Sequence, residues 1–379
     1  MDLSLPVYLD CAATTPMEPE VIELVARTMA EDFGNPSSRT HVYGQRAKAI
    51  VERARDQVAA AIDCDPTEVV FTSGATESNN LFIAGVESLG RRQERKHVVT
   101  TAIEHKSVLE PMQALARRGF DVTFLQPASS GAVSAEDVLR HVRDDTLLVS
   151  IMGANNETGV IQPFGEIAEG LIDRPTFFHV DAAQLFGKTP TRNVLTNVDF
   201  ISISAHKIGG PKGVGASVFR RRKRHLGYLS PQLIGGGQER GMRGGTLPTP
   251  IIAGLGLAAE LSSRYVNERH AQCTTYRQAV KSMLEGIGAQ FNGDQTNSVP
   301  NIISVTLPDI DAEAAIVGLK DLVAVSTGSA CTSEKQVESH VLTAMGLSRE
   351  AISNTIRISW SHQTAIADWK EIRRRLENF

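Results

Sequence analysis

Short apolar runs alternate with amphipathic stretches from about residue 65 to residue 222 of the chain. These runs are rich in Val, Ile, Phe and Thr, the residue types that favour β-strands. Helical patterns such as TESNNLFIAGVESLG and KSVLEPMQALARRG separate several of them. Predicted strands lie at residues 68–74, 97–105, 121–127, 147–157, 177–184, 200–207 and 215–221. Strands interleaved with helices in this way predict an α/β domain with a mostly parallel, seven-stranded sheet.

The C-terminal third of the chain has a pattern that indicates a second, smaller α/β unit. Residues 250–290 have the periodicity of one long helix. Further predicted strands follow at residues 301–308, 322–328 and 354–360. A chain of 379 residues is also long for one domain, so two domains are expected. We predict a large domain over residues 15–259 and a small domain formed by residues 1–14 and 260–379.

Composition and charge narrow the class of protein. The chain is 41% hydrophobic and 22% charged, values typical of soluble globular proteins, and no apolar run is long enough to span a membrane. The start, MDLSLPVYLD, lacks the features of a secretory signal, so a cytoplasmic protein is expected. A formal net charge of −4 gives no overall attraction to nucleic acid. We interpret the basic run RRRKRH at 220–225 as a solvated sheet edge or a partner-docking patch, because it has no interleaved aromatic residues.

The cysteines are spread along the chain without a C-x-x-C pair, so neither a metal site nor a disulfide framework is expected. They are Cys11, Cys64, Cys273 and Cys331. Cys331 is unusual because no bulky apolar residue occurs between Val325 and Val337. Buried structural cysteines usually have apolar neighbours. The sequence therefore predicts that Cys331 lies in a mobile loop, at residues 328–337, where its thiol is accessible.

The first predicted strand ends in TSGATES, where Gly74, Ala75 and Thr76 open a helix. Small residues at a helix N-terminus expose backbone N–H groups that favour an anion such as phosphate. Taken alone, the same residues are equally typical of an ordinary turn with a helix cap.

Polar side chains also occur at the ends of four of the predicted strands. This position matters because ligands of open α/β sheets bind beyond the carboxyl ends of the strands. These side chains include His105, Asn155, Asp181 and Lys207. Each could be unremarkable by itself, but together they converge on one edge of the sheet. A phosphate cradle, an Asp and a Lys indicate pyridoxal phosphate, which needs a Lys for its Schiff base and an acid to keep its ring nitrogen protonated.

Several motifs, in order along the chain, resemble the cysteine desulfurase family. They are TSGATESNN (72–80), EHKSV (104–108), NNETG (155–159), HVDAAQ (179–184), SAHKIGGPKG (204–213), GGGQERGMRGGTLP (235–248) and GSACTS (328–333). The resemblance runs from YLDCAATTP at 8–16 to IRIS at 356–359. It implies a pyridoxal-phosphate-dependent transferase of fold type I, in the class-V aminotransferase group, that converts L-cysteine to L-alanine.

The resemblance also implies the pathways that such an enzyme serves. The loop after GSACTS resembles the long-loop branch, whose sulfur goes to an acceptor protein for iron–sulfur assembly, tRNA thiolation or DNA phosphorothioation. The sequence ends with RRRLENF, and we expect the chain to be short of the C-terminal extension that some relatives use to dock a scaffold. A dedicated pathway such as DNA phosphorothioation is therefore one hypothesis.

For the cofactor ring, the resemblance implies a role for each of five residues. Lys207 would bind the cofactor covalently, and Asp181 would pair with its ring nitrogen. His105 would stack on the ring and shuttle protons. Gln184 would bond the ring hydroxyl, and Asn155 would lie near that hydroxyl and the substrate.

The remaining implied roles concern the phosphate, the substrate and the sulfur. The phosphate would be held by Thr76, Ser204, His206, the backbone of Ala75 and, from the other subunit of a homodimer, Thr246. Arg357 would bind the substrate carboxylate, although its strand pattern alone is also that of a surface residue. Cys331 would attack the substrate sulfur as a thiolate and carry it as a persulfide.

Two stretches depart from the family pattern. WSHQT at 360–364 replaces a Gly-Arg-Phe-Thr-like run, and Cys11 occupies a position that usually holds another residue. We interpret Cys11 as a small packed residue, and we expect WSHQT to alter the mouth of the pocket. A selenocysteine lyase, another class-V enzyme such as an aminotransferase, and a non-catalytic scaffold are the alternatives.

Overall fold

The structure is a computed structural model that describes residues 5–190, 195–220, 229–327 and 338–379. The strands are β1 (Val7–Tyr8), β2 (Val69–Thr72), β3 (His97–Thr101), β4 (Asp121–Leu125), β5 (Thr146–Met152), β6 (Phe177–Asp181), β7 (Phe200–Ser204), β8 (Gly215–Phe219), β9 (Gln290–Asn292), β10 (Ile302–Thr306), β11 (Val323–Ala324) and β12 (Thr355–Ser359). The helices are α1 (Pro19–Glu31), α2 (Val42–Ile62), α3 (Ala75–Gly85), α4 (Glu87–Gln93), α5 (Lys106–Arg117), α6 (Ala135–Arg140), α7 (Phe164–Gly170), α8 (Thr249–Arg264), α9 (Val266–Glu285), α10 (Ala312–Leu319), α11 (His340–Ala344), α12 (Arg349–Ser353) and α13 (Trp369–Leu376).

A seven-stranded sheet with the order β2-β8-β7-β6-β5-β3-β4 organises the larger part of the chain. Strands β4, β3, β5, β6 and β7 pair in parallel, whereas β8 is antiparallel to both β7 and β2. Every strand predicted between residues 65 and 222 is present. The prediction of an α/β fold with a mostly parallel seven-stranded sheet is confirmed.

Helices cover both faces of this sheet, because successive side chains of a strand point to opposite faces. Val98 packs into a cluster with Phe82 of α3 and Met112 of α5, whereas its neighbour Val99 packs into a cluster with Val58 of α2. Burial on both faces explains why the strands read as continuous apolar runs instead of alternating patterns. It also leaves the ends of the strands as the places where polar side chains can collect.

A smaller unit contains the three-stranded antiparallel sheet β12-β10-β9 and the short parallel pair β1 and β11. The predicted strand at 322–328 is wrong in extent, since β11 spans two residues and pairs with β1. The single helix predicted over 250–290 is also wrong, because it divides into α8 and α9 at Tyr265. Since α8 continues through residue 259, the proposed domain boundary stays a prediction.

The segment from Leu9 to Thr15 connects the two sheets. The Leu9 N–H donates to Ala324 O at 2.9 Å, and the Cys11 N–H donates to Ser359 O at 3.1 Å, both on the small unit. Four residues later, the Thr15 N–H donates to His206 O at 2.9 Å, beyond the end of β7. The backbone therefore fixes one end of the small sheet against the carboxyl edge of the large one.

A buried ion pair holds the glycine-rich segment 235–248 against the large sheet. Arg55 of α2 binds both carboxylate oxygens of Glu239, at 2.7 and 2.9 Å, and also donates to Val69 O at 2.8 Å. The Phe71 N–H donates to Glu239 at 2.7 Å. Glu239 raises the pKa of Arg55 against the opposing effect of burial. Because Glu239 has a positive φ of 47°, these contacts fix an otherwise strained turn.

We expect Glu239→Ala to lower the free energy of unfolding by about 3–5 kcal/mol, because it leaves the buried Arg55 charge with only the more exposed Glu52, at 3.3 Å, as a partner. The matched control is Glu136→Ala, which removes a carboxylate paired with Arg140 on the exposed surface of α6. That change should cost less than about 1 kcal/mol. Urea unfolding of both variants measures the difference, and equal losses would contradict the role given to the buried pair.

Candidate functional site

The parallel strands bring most of the predicted site residues to one edge of the large sheet. Asp181 is the last residue of β6, and Ser204 is the last residue of β7. Lys207 ends the 3-10 turn that follows β7, and His105 caps the N-terminus of α5 after β3. Since β3, β5, β6 and β7 run in one direction, their carboxyl ends meet on the same side, as the sequence predicted.

A chain of hydrogen bonds links Asp181 to His105. Asn79 of α3 donates to Asp181 Oδ2 and to Ser107 Oγ, each at 2.8 Å. Ser107 Oγ lies 2.8 Å from His105 Nδ1. The Ala183 N–H donates to the other carboxylate oxygen of Asp181 at 3.0 Å. Both oxygens of Asp181 therefore accept hydrogen bonds, which fix the orientation of the carboxylate.

The contacts of His105 define the tautomer of its neutral ring. The Ser107 backbone N–H donates to Nδ1 at 3.1 Å, and a backbone N–H has no other role in a hydrogen bond. Nδ1 is therefore unprotonated, and Nε2 carries the proton. Although part of the side chain is exposed, burial within the surrounding protein lowers the pKa of His105, and the charge of Lys207 lowers it further against the effect of Asp181.

The Lys207 side chain is held by two backbone carbonyls of the connecting segment. Its Nζ donates to Ala12 O at 2.6 Å and to Ala13 O at 2.7 Å. Burial, supported by the charge of Arg357, lowers the pKa of this amine to about 8, against the opposing effects of Asp181 and Asp10. About one tenth of the amine is therefore unprotonated at pH 7, far more than at the ordinary lysine pKa of 10.5, which suits a lysine nucleophile.

Asn155 and Gln184 are buried and have partners within the protein. Asn155 Oδ1 accepts from the N–H groups of Glu157 and Thr158 at 2.8 and 3.0 Å, and its amide donates to Ile103 O at 3.0 Å. Asn155 thus shapes the loop after β5. Gln184 donates to Ala12 O at 2.8 Å, so it shares an acceptor with Lys207.

An anion could be held where α3 begins. Gly74 precedes the helix with a φ of 153°, and a Cβ at this position would lie 3.5 Å from Ser204 Oγ. Ala75 and Thr76 form the first turn beside it. His206 follows Ser204, and burial lowers its pKa to about 4, so its ring is neutral at neutral pH. Backbone N–H groups of the helix and nearby hydroxyl groups provide the donors that a phosphate requires.

Thr246 is an exposed residue of the glycine-rich segment. Arg243 of the same segment pairs with Glu77 in the first turn of α3 at 3.0 Å. This ion pair, together with that of Glu239, fixes the segment that presents Thr246.

Arg357 is a buried residue of β12, so the interpretation of a surface arginine is wrong. One of its terminal nitrogens pairs with Asp10 at 2.6 Å, and the other donates to Asn156 O at 2.9 Å. The neighbouring residues Ile356 and Ile358 pack into the core of the small unit. The strand alternation predicted from the sequence is therefore confirmed, with the guanidinium directed away from that core.

Cys331 and the loop at 328–337 lie outside the described residues. The residues that flank this segment contact the site. Ser326 forms a backbone bridge with Arg357, while Ser339 donates to Glu157 at 2.5 Å. His340 Nε2 lies 2.9 Å from Glu104 O, next to His105 in sequence. The chain thus leaves one side of the site at Ser326 and returns to it at Ser339.

The two departures from the family pattern contact each other. The Cys11 thiol is fully buried, as predicted, and burial raises its pKa against the effect of hydrogen bonds with Ser361 and Thr364. His362 pairs with Glu18 at 3.1 Å. The segment also lines a cleft together with Lys207 and Lys188. WSHQT therefore shapes a cleft next to the lysine of the site.

Sequence analysis missed Asn79, Ser107, Asp10 and Lys188 as residues of this site. Asn79 and Asp10 lie inside motifs that were used for the resemblance. The available signal for Asn79 was a polar residue on the buried face of α3, beside Ser78 and Leu81. A buried polar side chain needs a partner, and here that partner is Asp181.

The donor set fits pyridoxal phosphate. Lys207 supplies a nucleophilic amine, Asp181 supplies a carboxylate, and the start of α3 supplies an anion cradle within the same edge. Across the described ranges no group of three or more His, Cys, Asp or Glu side chains could hold a metal ion. In those same ranges, no helix is long and apolar enough to cross a membrane.

Comparison with known proteins places the chain in a family. The family model for class-V aminotransferases matches residues 7–371. The chain is 44% identical to the cysteine desulfurase IscS of Vibrio cholerae serotype O1 over 97% of its length and 90% of that protein. It is similar to the crystal structure of DndA from Streptomyces lividans, with a TM-score of 0.82, 48% identity and coverage of 94% and 100% of the two chains.

A structure described as SspA in complex with cysteine is also similar, with a TM-score of 0.83, 36% identity and coverage of 93% of this chain and 98% of that one. The fold and site thus define a class-V aminotransferase. Within that class, the chain belongs to the cysteine desulfurase family, and its cofactor is pyridoxal 5′-phosphate.

We expect Lys207 of the cofactor-free protein to become nucleophilic near pH 8, because its pKa is lowered from 10.5 to about 8. Only the unprotonated amine reacts with acetic anhydride, so acetylation of Lys207 should rise through this pH and then level off. Competitive labelling with trace reagent, followed by peptide mass spectrometry across a pH series, measures the curve. A half-maximum at the ordinary lysine value of 10.5 would contradict the electrostatics described above.

Proposed function

We propose that this chain removes the sulfur atom from L-cysteine, releases L-alanine and passes the sulfur to an acceptor protein from a persulfide on Cys331. The observation that carries the proposal is that Lys207 and Arg357 both contact the connecting segment, while Asp181 and Arg357 are both near enough to Lys207 to alter its pKa. These residues supply an amine, a carboxylate and a buried guanidinium, the groups needed to hold an aldehyde cofactor and an amino acid. The family to which the chain belongs supports the same reaction.

Several residues would hold the cofactor. Lys207 would form the covalent link, Asp181 would pair with the ring nitrogen, and Gln184 would donate to the ring hydroxyl oxygen. Ser204, His206, Thr76 and the backbone of Ala75 would hold the phosphate. When bound, pyridoxal phosphate supplies an electron sink for charge that develops at the substrate Cα.

Arg357 would bind the substrate carboxylate. Its planar fork can form two hydrogen bonds with a carboxylate, which a lysine cannot do in the same geometry. Asp10 pairs with one terminal nitrogen, at 2.6 Å, and so fixes the orientation of the guanidinium. The substrate carboxylate would share Arg357 with Asp10. The negative charge of Asp10 would therefore lie beside the position where the substrate carboxylate binds.

Lys207 and His105 would move protons. The Lys207 amine, with a pKa of about 8, can accept or release a proton near neutral pH, as a general acid–base catalyst must. His105 holds its proton on Nε2, because Nδ1 accepts from Ser107. It would therefore offer a donor to the substrate. Asn155 shapes the loop beside these groups and would lie near the substrate.

Cys331 is the best candidate for the sulfur-accepting thiolate. Burial raises the pKa of Cys11, and it raises the pKa of Cys64 and of Cys273 to about 12, so these thiols are protonated at neutral pH. A thiolate at Cys331 would attack the substrate sulfur. An S–S bond then forms as the C–S bond breaks, and the carbon fragment takes up a proton and leaves as alanine.

The position of the flanking residues supports this role for Cys331. Ser326 bridges to Arg357, which would bind the substrate, and His340 lies against the backbone of Glu104, next to His105. A segment that begins and ends at the site can bring its cysteine to the substrate. It can also present the sulfur to another protein.

We further propose that the active form is a cytoplasmic homodimer in which Thr246 of one subunit reaches the phosphate of the other. Exposure of Thr246, on a segment fixed by two ion pairs, supports this arrangement. Iron–sulfur assembly, tRNA thiolation and DNA phosphorothioation are the pathways that the sulfur would enter. Identification of the proteins that co-purify with the enzyme from its native cell would distinguish them.

We expect Cys331→Ala to bind pyridoxal phosphate and L-cysteine but to form alanine at least about a thousandfold more slowly, because the attacking thiolate is absent. Amino-acid analysis of alanine, with the visible absorption of the cofactor as a measure of loading, tests this. The matched control is Cys64→Ala, which removes a half-buried thiol and should leave the rate unchanged. Full turnover by Cys331→Ala would disprove the persulfide mechanism.

A further inference from the structure

Lys188 is a buried lysine in the turns that follow β6, four residues after Gln184. Its ammonium donates a hydrogen bond to Gln184 Oε1. Within the described part of the chain, no carboxylate forms an ion pair with it. Burying a charge in this way is costly, and buried lysines of this kind are concentrated at functional sites.

The neighbours of Gln184 fix which way its amide points. An ammonium group can only donate, so the amide atom that faces Lys188 must be the oxygen. A backbone carbonyl can only accept, so the atom 2.8 Å from Ala12 O must be the nitrogen. Two independent neighbours therefore assign the same orientation. The amide nitrogen has a second N–H, and this is what Gln184 can offer to a group in the site.

The pKa of the Lys188 ammonium depends on burial and on the charged and titratable groups around it. Lys207 and Arg357 oppose its charge, while Cys11 and Cys273 favour it only in their thiolate forms. Burial is the largest effect, and it lowers the pKa of Lys188 to about 7. Since repulsion between two cations is mutual, Lys188 disfavours an added proton at Lys207 while Lys188 is itself protonated.

We propose that Lys188 is a positioning residue for the cofactor. Lys188 holds the Gln184 amide so that the amide offers an N–H to the ring hydroxyl oxygen. Lys188 also lowers the proton affinity of the linkage between the cofactor and Lys207. This inference rests on the proposed function, in which Gln184 and Lys207 bind pyridoxal phosphate. A donor to the ring oxygen favours its ionised form, and a nearby cation disfavours the protonated linkage. Both effects of Lys188 therefore lower the pKa of the linkage between the cofactor and Lys207.

The test is a pH titration of the visible absorption of the cofactor-loaded enzyme without substrate. Lys188→Met removes both the donor and the charge, and it should raise the pKa of the absorption change by about one unit, a tenfold change in proton affinity. Lys188→Arg keeps the donor and the charge and should titrate like the wild type. Lys320→Met removes an exposed lysine of the small unit and should have no effect.

Replacement of an unpaired buried charge by an apolar side chain is usually neutral or stabilising, so Lys188→Met is expected to fold. Lys188→Gln, which keeps a donor without the charge, is the second variant and should shift the pKa in the same direction by a smaller amount. An unchanged titration in both uncharged variants would overturn the inference. Equal shifts in Lys188→Arg and Lys188→Met would overturn it as well.

Borohydride reduction and peptide mass spectrometry of the wild-type enzyme separate this inference from the function on which it rests. Cofactor attached to Lys207, with a titration that ignores Lys188, would refute the role of Lys188 alone. Cofactor attached elsewhere, or none attached, would refute the proposed function itself.

Discussion

The carbonyl oxygen of Ala12 accepts hydrogen bonds from two side chains of the site, the Gln184 amide at 2.8 Å and the Lys207 amine at 2.6 Å. Ala12 is itself fixed from the small unit, because its N–H donates to Ser359 Oγ at 2.9 Å. Asp10, two residues earlier, orients Arg357. One short segment between the sheets thus positions the amine, the amide and the guanidinium relative to each other. A shift of the small sheet would disturb all three groups together.

The charges of the site follow from this arrangement. Lys207, Lys188 and Arg357 bring three basic groups to one region, while Asp181 and Asp10 supply carboxylates that act on Lys207. The excess of basic groups suits a phosphorylated cofactor and a substrate with a carboxylate. Burial, together with the repulsion among these basic groups, lowers the pKa of both lysines, which allows proton exchange near neutral pH. The two histidines, His105 and His206, have lowered pKa values as well and add little positive charge.

The sequence was most informative where one local rule decided the outcome. Strands buried on both faces gave apolar runs, so the seven-stranded sheet and the edge that carries Asp181 and Lys207 could be predicted. It was less informative where a contact joins distant residues. The break at Tyr265 leaves the apolar pattern of α8 and α9 continuous, and β1 and β9 are too short to produce a pattern. Lys188 and Asn79 became visible as site residues only when their partners, Gln184 and Asp181, were known.

Transfer of sulfur to Cys331 is the central claim, and direct detection of the bound sulfur tests it most sharply. The purified enzyme would receive L-cysteine carrying an isotope label on sulfur, followed by rapid alkylation, digestion and mass spectrometry of every cysteine-containing peptide. The account predicts one extra labelled sulfur on the Cys331 peptide, which is lost when a thiol is added. Labelled sulfur on Cys11, Cys64 or Cys273 instead, or alanine formed with no labelled cysteine at all, would contradict it.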